Sequence, residues 1–322
     1  MSRTVNVRTN LTLVIPGKKK DVREVQKKDK VVKIVSLVFL YAILAFLAII
    51  VLVPFYYMIV ASMMEEADIK IGSFYPTMGN IFDNIAYNYS QTVNNPQFNY
   101  LQLVSNTLIV GFSTTCLGMI ITILSAFAFA RLKFRGRDLL FTIFLATMMI
   151  PGEMMVISNY PTMANLGMIS LDQNRMQAYL VMILPFLTSV FYIYLLRQTF
   201  KQIPNELYLA AKVDGKSDWS YLWKVMVPLA SPTLITIFIL NLIGSWNAYV
   251  WPKLAVTNSD FYPISVALRS AAFQLEVQPD IFETQSSWTM AATCLTVVPL
   301  LLLFIIFRKY IMRGVGRAGI KG

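Results

Sequence analysis

An all-α, polytopic membrane protein with six transmembrane helices is the fold class predicted by this 322-residue sequence. Three observations carry the prediction. Hydrophobic residues make up 56% of the chain and charged residues only 14%, where a soluble domain carries about a quarter charged. Six apolar runs are each long enough to cross about 30 Å of hydrocarbon. Finally, Lys and Arg are concentrated in alternate connections between those runs, as membrane orientation requires.

In chain order, residues 1–33 form a basic tail that includes Lys18, Lys19, Lys20, Lys27, Lys28 and Lys30. Such a tail is expected to be a disordered segment drawn to anionic headgroups. The apolar run after it lacks a small-residue cleavage site, so an uncleaved first span is expected. The runs lie near Ile34–Met63, Val104–Ala130, Leu139–Tyr160, Ala178–Leu196, Thr233–Trp251 and Trp288–Phe307. This divides the chain into the tail, a membrane domain over 34–308 with a polar loop at 201–228, and a C-terminal tail over 309–322.

Alternating through six spans places 24 of the 28 basic residues on the side of the N-terminus. Acidic residues divide 7 to 10, so the two sides carry +17 and −6. The positive-inside rule then predicts cytoplasmic N- and C-termini in a cell membrane. The net charge of +11 is accounted for by topology and does not point to nucleic acid. The absence of His excludes histidine-based metal sites and Ser-His-Asp or Cys-His catalysis. Cys116 and Cys294 lie inside apolar runs and read as small hydrophobes. No Gly-rich phosphate loop occurs, so the chain itself is expected to bind no nucleotide cofactor.

Polar residues inside the spans are the candidate pathway residues. Ile150-Pro151-Gly152-Glu153 predicts a kink or break in the third span, because proline removes a donor and glycine weakens the helix. Glu153 is either a pathway carboxylate or a group near enough to the interface to reach water. Asn241, Ser245 and Asn247 in the fifth span suit a polar lining for a hydroxyl-rich solute, or else helix–helix packing. Asn106 in the second span is equally open. Asn88-Tyr89-Ser90 matches a glycosylation sequon, a short pattern of little weight.

The loop at 201–228 carries too many charges to span: each central charge costs about 2.5–3.5 kcal/mol. Its local pattern is two short helices. Pro204 suits a first helical position, Glu206 the first turn, and Leu207, Ala210 and Ala211 form an apolar face at i, i+3 and i+4. Asp214-Gly215 breaks that helix, Ser217 caps a second, and Trp219, Leu222, Trp223 and Met226 give it a stripe that Pro228 ends. Such a pair either lies on lipid or docks a partner protein, and its alanines favour close approach to a protein surface.

Glu206-Leu207, Ala210-Ala211, Asp214-Gly215 and Val227-Pro228 resemble the cytoplasmic "EAA" loop of ABC-importer permeases, in order and spacing. Leu209 stands where the motif usually has its own Glu, Lys216 where Ala is usual and Val227 where Leu is usual. Residues 105–107, 126–131, 149–153 and 246–252, and the glycine-rich ending from Gly316, resemble the carbohydrate-uptake branch, the maltose-type second permease. The resemblance covers about residues 34–322 and implies a type I importer permease fold. It further implies a non-catalytic subunit that works with a second permease, two ATP-binding subunits and an extracytoplasmic solute-binding protein. ATP would be bound by the partners, and the ATPase-coupling residues would be Glu206, Leu207, Ala210, Ala211, Asp214, Gly215 and Pro228. The rival reading is a secondary transporter that uses Glu153 as its coupling carboxylate.

Overall fold

The computed structural model describes residues 22–77, 79–96, 98–271, 273–278 and 281–316. Residues 1–21 of the basic tail and 317–322 of the C-terminal tail, which fall within the predicted end segments, lie outside the described residues. The chain forms two compact units, divided between Tyr56 and Tyr57.

The described residues of the first unit, 22–56, are helical. Helix α1 covers Val22–Ala61, with Pro54 inside it. Its stretch Val32–Ala61 is apolar enough to cross a membrane, and at about 1.5 Å per residue it spans roughly 45 Å. Between Val32 and Tyr56 its side chains are exposed, which an aqueous surface would penalise and lipid would not.

The second unit begins with the end of α1, residues 57–61, and continues with α2 (Glu66–Lys70) and α3 (Ile81–Val93), followed by α4 (Tyr100–Arg131), one uninterrupted apolar helix. Next come α5 (Arg137–Thr147) and α6 (Met155–Asn165), then α7 (Arg175–Ile183) and α8 (Val190–Gln202). The polar loop holds α9 (Asn205–Val213), α10 (Asp218–Tyr221) and α11 (Val227–Leu229), with a π-helical turn at Leu222–Met226 joining the last two. α12 (Ser231–Trp246), α13 (Val250–Ala255), α14 (Ile264–Ser270) and α15 (Ser286–Gly316) complete the helices. A two-stranded antiparallel hairpin, β1 (Gln274–Gln278) and β2 (Ile281–Thr284), precedes α15. Among the described residues the fold is therefore helical apart from this hairpin. Among them, three helices are long and apolar enough to span, and the number rises to six when each bent helix pair counts as one span.

The bends have identifiable causes. At the predicted break, the chain tightens into i→i+3 bonds (Met148 N–H to Leu145 O, Met149 N–H to Ala146 O, Ile150 N–H to Thr147 O) and turns 86° between α5 and α6. Pro151 sits extended at the corner, with ψ 135°. The fourth span bends 51° between Phe186 and Val190, where Ser189 caps α8 by accepting from Tyr192 N–H at 3.4 Å. A third bend, of 79°, falls at Ala230, where the polar loop's helical end meets α12 of the fifth span. Pro228 therefore does not end the second loop helix as predicted: the helix runs through it to Leu229. The fifth helix is also shorter than the predicted run, stopping at Trp246 instead of Trp251.

Helix α4 is the axis of this unit and packs most extensively on α8 and α12. Close approach is possible because Gly111 faces α12 and Gly118 faces α12 and the joint between α7 and α8; a Cβ on Gly118 would lie 3.1 Å from the Leu187 carbonyl oxygen. At one end, Phe127, Leu196, Phe200, Tyr221 and Met226 form a buried cluster beneath the polar loop. At the other, Phe98, Trp246, Phe273 and Trp288 bury a second. Two asparagines hold that far end together. Asn88, buried, donates to Ser62 O (3.1 Å) and Met64 O (2.9 Å), which makes it an internal strut and not an exposed glycosylation acceptor. Asn106 donates to Asp260 O (2.8 Å) and Tyr262 O (3.1 Å) and accepts from the Tyr179 hydroxyl (2.7 Å), so its role is packing. Cys294 is buried and Cys116 exposed; both are free thiols.

Candidate functional site

Two regions gather the predicted site residues: the helix pair α9–α10 and a cavity among the spans.

Pro204 is the N-cap of α9, one position earlier than predicted, with φ −55° and ψ 138°. Glu206 lies in the first turn and is exposed. Leu207, Leu209, Ala210 and Val213 are all exposed; Val213 is 88% accessible. Gly215 has φ +70°, the left-handed conformation. The Lys216 amide bonds Ala211 O (2.9 Å) and the Gly215 amide bonds Lys212 O (3.1 Å), the paired bonds of a Schellman turn. Ser217 then caps α10, accepting from Ser220 N–H at 3.2 Å.

The second helix buries a different face from the one predicted. Leu222 and Met226 are buried as expected, but Trp219 is exposed and Tyr221 takes its place in the core. The π turn inserts an extra residue into the helical period, which rotates the stripe. Tyr221 stacks edge-on against Tyr208 of α9 at 5.1 Å. Between the helices runs a groove of about 270 Å³, lined in part by Leu207, Ala210, Ala211 and Asp214, with Lys216 and Lys224 on its rim. Leu207, Ala210, Ala211 and Asp214 are thus brought together in the groove, whereas Glu206, Gly215 and Pro228 are not part of its lining.

Asp218 fastens the pair. It accepts from the Tyr208 hydroxyl and from Lys212 Nζ, each at 2.8 Å. The hydrogen bond from Lys212, and then that from Tyr208, hold the Asp218 carboxyl below its usual range. The same Lys212–Asp218 bond holds the ammonium above its own. A depressed carboxyl stabilises the fold above its unfolded pKa, and that contribution is lost as pH falls through the folded value. Amide exchange at 212–220 should therefore be flat from pH 7 to about 4, once corrected for intrinsic chemistry, and accelerate only below that. Asp218→Asn should speed exchange several-fold at pH 7 and remove the acid transition. An acid transition that persists in the variant would assign it to another group.

The cavity, about 340 Å³, lies between α4, the α7–α8 joint, α12 and α13. That volume is at the small end for ligand pockets. Asn241 and Ser245 line it together with Thr114, Ser189, Tyr192 and Trp251. Trp251 is fixed as a wall by donating its indole N–H to Val181 O at 2.9 Å. Thr114 is 2% exposed, and its hydroxyl has no hydrogen-bond partner. None of the lining residues is charged at neutral pH. Amide and hydroxyl groups beside aromatic walls can hold a neutral polar solute, but they offer no carboxylate or ammonium for proton or ion coupling.

The other two pathway candidates are elsewhere. Glu153 sits in the exposed 3-10 turn Gly152–Met154, and Asn247 is exposed, its amide donating to Ile243 O at 3.0 Å. Thr114 gives little signal in the sequence, because a lone hydroxyl in an apolar run is tolerated anywhere on a helix; only the neighbouring Ser113 and Thr115 mark the spot.

Residues 114–317 match the family described as "Binding-protein-dependent transport system inner membrane component". The sn-glycerol-3-phosphate transport system permease protein UgpE of Yersinia pestis bv. Antiqua (strain Antiqua) is 26% identical over 266 residues, covering 82% of this chain and 90% of the relative. UgpE of Escherichia coli O6:K15:H31 (strain 536 / UPEC) shows the same identity and coverage. Among solved structures, a chain of a bacterial ABC transporter involved in the import of the acidic polysaccharide alginate superposes with a TM-score of 0.72 at 24% identity. The superposition covers 88% of this chain and 97% of that one.

Proposed function

The chain belongs to the binding-protein-dependent transport system inner membrane components, and from that premise we propose how it couples and what it carries. It is a multi-pass permease subunit of an ABC importer, not an enzyme. In our reading it pairs with a second permease to enclose the pathway, and two ATP-binding subunits dock on the α9–α10 pair. An extracytoplasmic binding protein delivers the solute, and both termini are cytoplasmic.

The observation that supports docking is the exposed apolar face of α9 beside an open groove. Leucines and alanines there call for a cover of lipid or protein, and the small alanine side chains favour close approach to a protein. Leu209 leaves that face without the usual acid, so Glu206 and Asp214 are the carboxylates available to a partner. Closure of the ATP-bound partners would push the pair, and rigid-body rotation of the helices would switch access to the pathway.

For the solute we propose a carbohydrate or related polyol. The named relatives carry sn-glycerol-3-phosphate, but the uncharged lining of the cavity suits a neutral hydroxyl-rich solute better than a phosphorylated one. A buried phosphate would lack a countercharge there. A secondary transporter coupled through Glu153 is disfavoured, because that carboxylate is exposed and apart from the cavity.

The test is to purify the tagged chain in mild detergent, identify the proteins that accompany it, and measure sugar uptake in a deletion strain. An ATPase and a second permease should co-purify, and uptake should vanish without either. Uptake by this chain alone, abolished by uncouplers and indifferent to ATPase loss, would overturn the reading.

A further inference from the structure

We propose that Arg131 is a positioning residue that locks the docking helix pair to α4, so that displacement of α9 is passed directly to the longest helix of its unit. The inference rests on the docking reading above and adds the residue through which motion leaves the loop.

Arg131 is the last residue of α4. Its guanidinium presents five donors in a rigid fork. Nη2 donates to Phe200 O at 2.9 Å and also to Ile203 O, and Nη1 donates to Asn205 Oδ1 at 3.2 Å. Phe200 and Ile203 belong to the last turn and cap of α8, whose final carbonyls have no partners within the helix. Asn205 is the first residue of α9. One side chain therefore holds the end of α4, the end of α8 and the start of α9. A cation at the C-terminus of α8 is also favoured by the helix dipole.

The joint has little slack. Only Ile203 and Pro204 separate α8 from α9, and proline fixes its own φ. The polar loop also places a buried phenol in the same region. Tyr221 of α10 is buried with its hydroxyl unpartnered, as is Nε of Arg131. Burial pushes the Tyr221 phenol up, and the nearby Arg131 charge opposes that rise.

A second arginine supplies the contrast. Arg197 is buried, donates to Phe129 O at 3.1 Å and Asp138 at 3.4 Å, and lies 3.7 Å from the centre of the Phe141 ring. Its contacts join α8 to α4 and α5 and include nothing on α9 or α10, so its role is to hold the bundle together. Arg131 alone of the two reaches the docking elements.

The test uses the complete transporter in proteoliposomes, with solute transported per ATP hydrolysed as the readout. Arg131→Gln should keep the ATPase bound and hydrolysing while this ratio falls roughly three- to thirtyfold. Arg131→Lys, which keeps the charge but not the fork, should recover part of the ratio. Asn205→Ala should lower it less, and adding it to Arg131→Gln should lower it no further. A merely structural role would reduce the amount of complex and leave the ratio unchanged. An unchanged ratio in assembled Arg131→Lys and Asn205→Ala complexes would overturn the proposal even if Arg131→Gln fails to assemble. Failure of the wild-type chain to hold an ATPase would instead overturn the docking reading.

Discussion

Gly215→Val is expected to abolish uptake while leaving the chain inserted and folded. The argument is purely backbone. Gly215 sits at φ +70°, and a Cβ built there meets no atom within 4 Å. No clash can therefore be blamed; the cost is that of a β-branched residue in left-handed space, at least about 1–2 kcal/mol. The chain can avoid this cost only by abandoning the turn. Both paired bonds, from Lys216 to Ala211 and from Gly215 to Lys212, would then open, and α10 would swing relative to α9. The groove between them would lose its shape although every lining residue is still present. Gly215→Asn is the control, because asparagine accepts left-handed backbone, and it should retain most uptake. The measurement is uptake normalised to membrane-inserted protein. Normal uptake in the valine variant would show that the turn does not set the geometry of docking.

Gly118→Val should cost the fold itself. Its Cβ would stand 3.1 Å from the Leu187 carbonyl oxygen and 3.5 Å from the Asn241 amide nitrogen. The first of these is backbone, at the bend of the fourth span, and it cannot step aside as a side-chain terminus would. Overpacking of this kind costs about 1–3 kcal/mol, and two extra methyl groups put the variant at the upper end. The expected result is a lower unfolding temperature in detergent and a reduced yield of folded chain, with the neighbouring cavity disturbed as well. Gly111→Ala should be milder, since its nearest contact, at 3.2 Å, is the flexible end of Leu242. Equal stability of the two variants would mean that the contact of α4 with the bend of the fourth span is looser than its distances indicate.

Much of this architecture was legible in the sequence, for reasons that differ along the chain. The 86° corner followed from Pro151-Gly152, where donor loss and weak propensity act on the same turn. Gly215 was legible because few residues tolerate left-handed backbone, so Asp-Gly after a helical pattern has few other meanings. The 51° bend of the fourth span was not read, although Pro185 and Ser189 were visible inside its apolar run. A hydrophobic run reports burial or lipid but not straightness. The exchange of Trp219 for Tyr221 was beyond periodicity, because a stripe drawn at 3.6 residues per turn assumes the α period that the π turn breaks. Pro228 explains that turn: it has no N–H to return to the preceding turn, and the widened turn at Leu222–Met226 lies directly before it. Of the pathway candidates, Asn241 and Ser245 reached the cavity and Glu153 and Asn247 did not, because side-chain chemistry alone does not specify which face of a helix is lined.

The neutral walls of that cavity bear on the electrical side of transport. A membrane potential does work only on charge that moves through it, about 2.3 kcal/mol per elementary charge per 100 mV. An uncharged sugar passing Thr114, Asn241 and Ser245 would carry none, and these side chains have none of their own to displace. On the proposed reading, the membrane potential would then do no direct work on the solute as it passes this chain's side of the pathway.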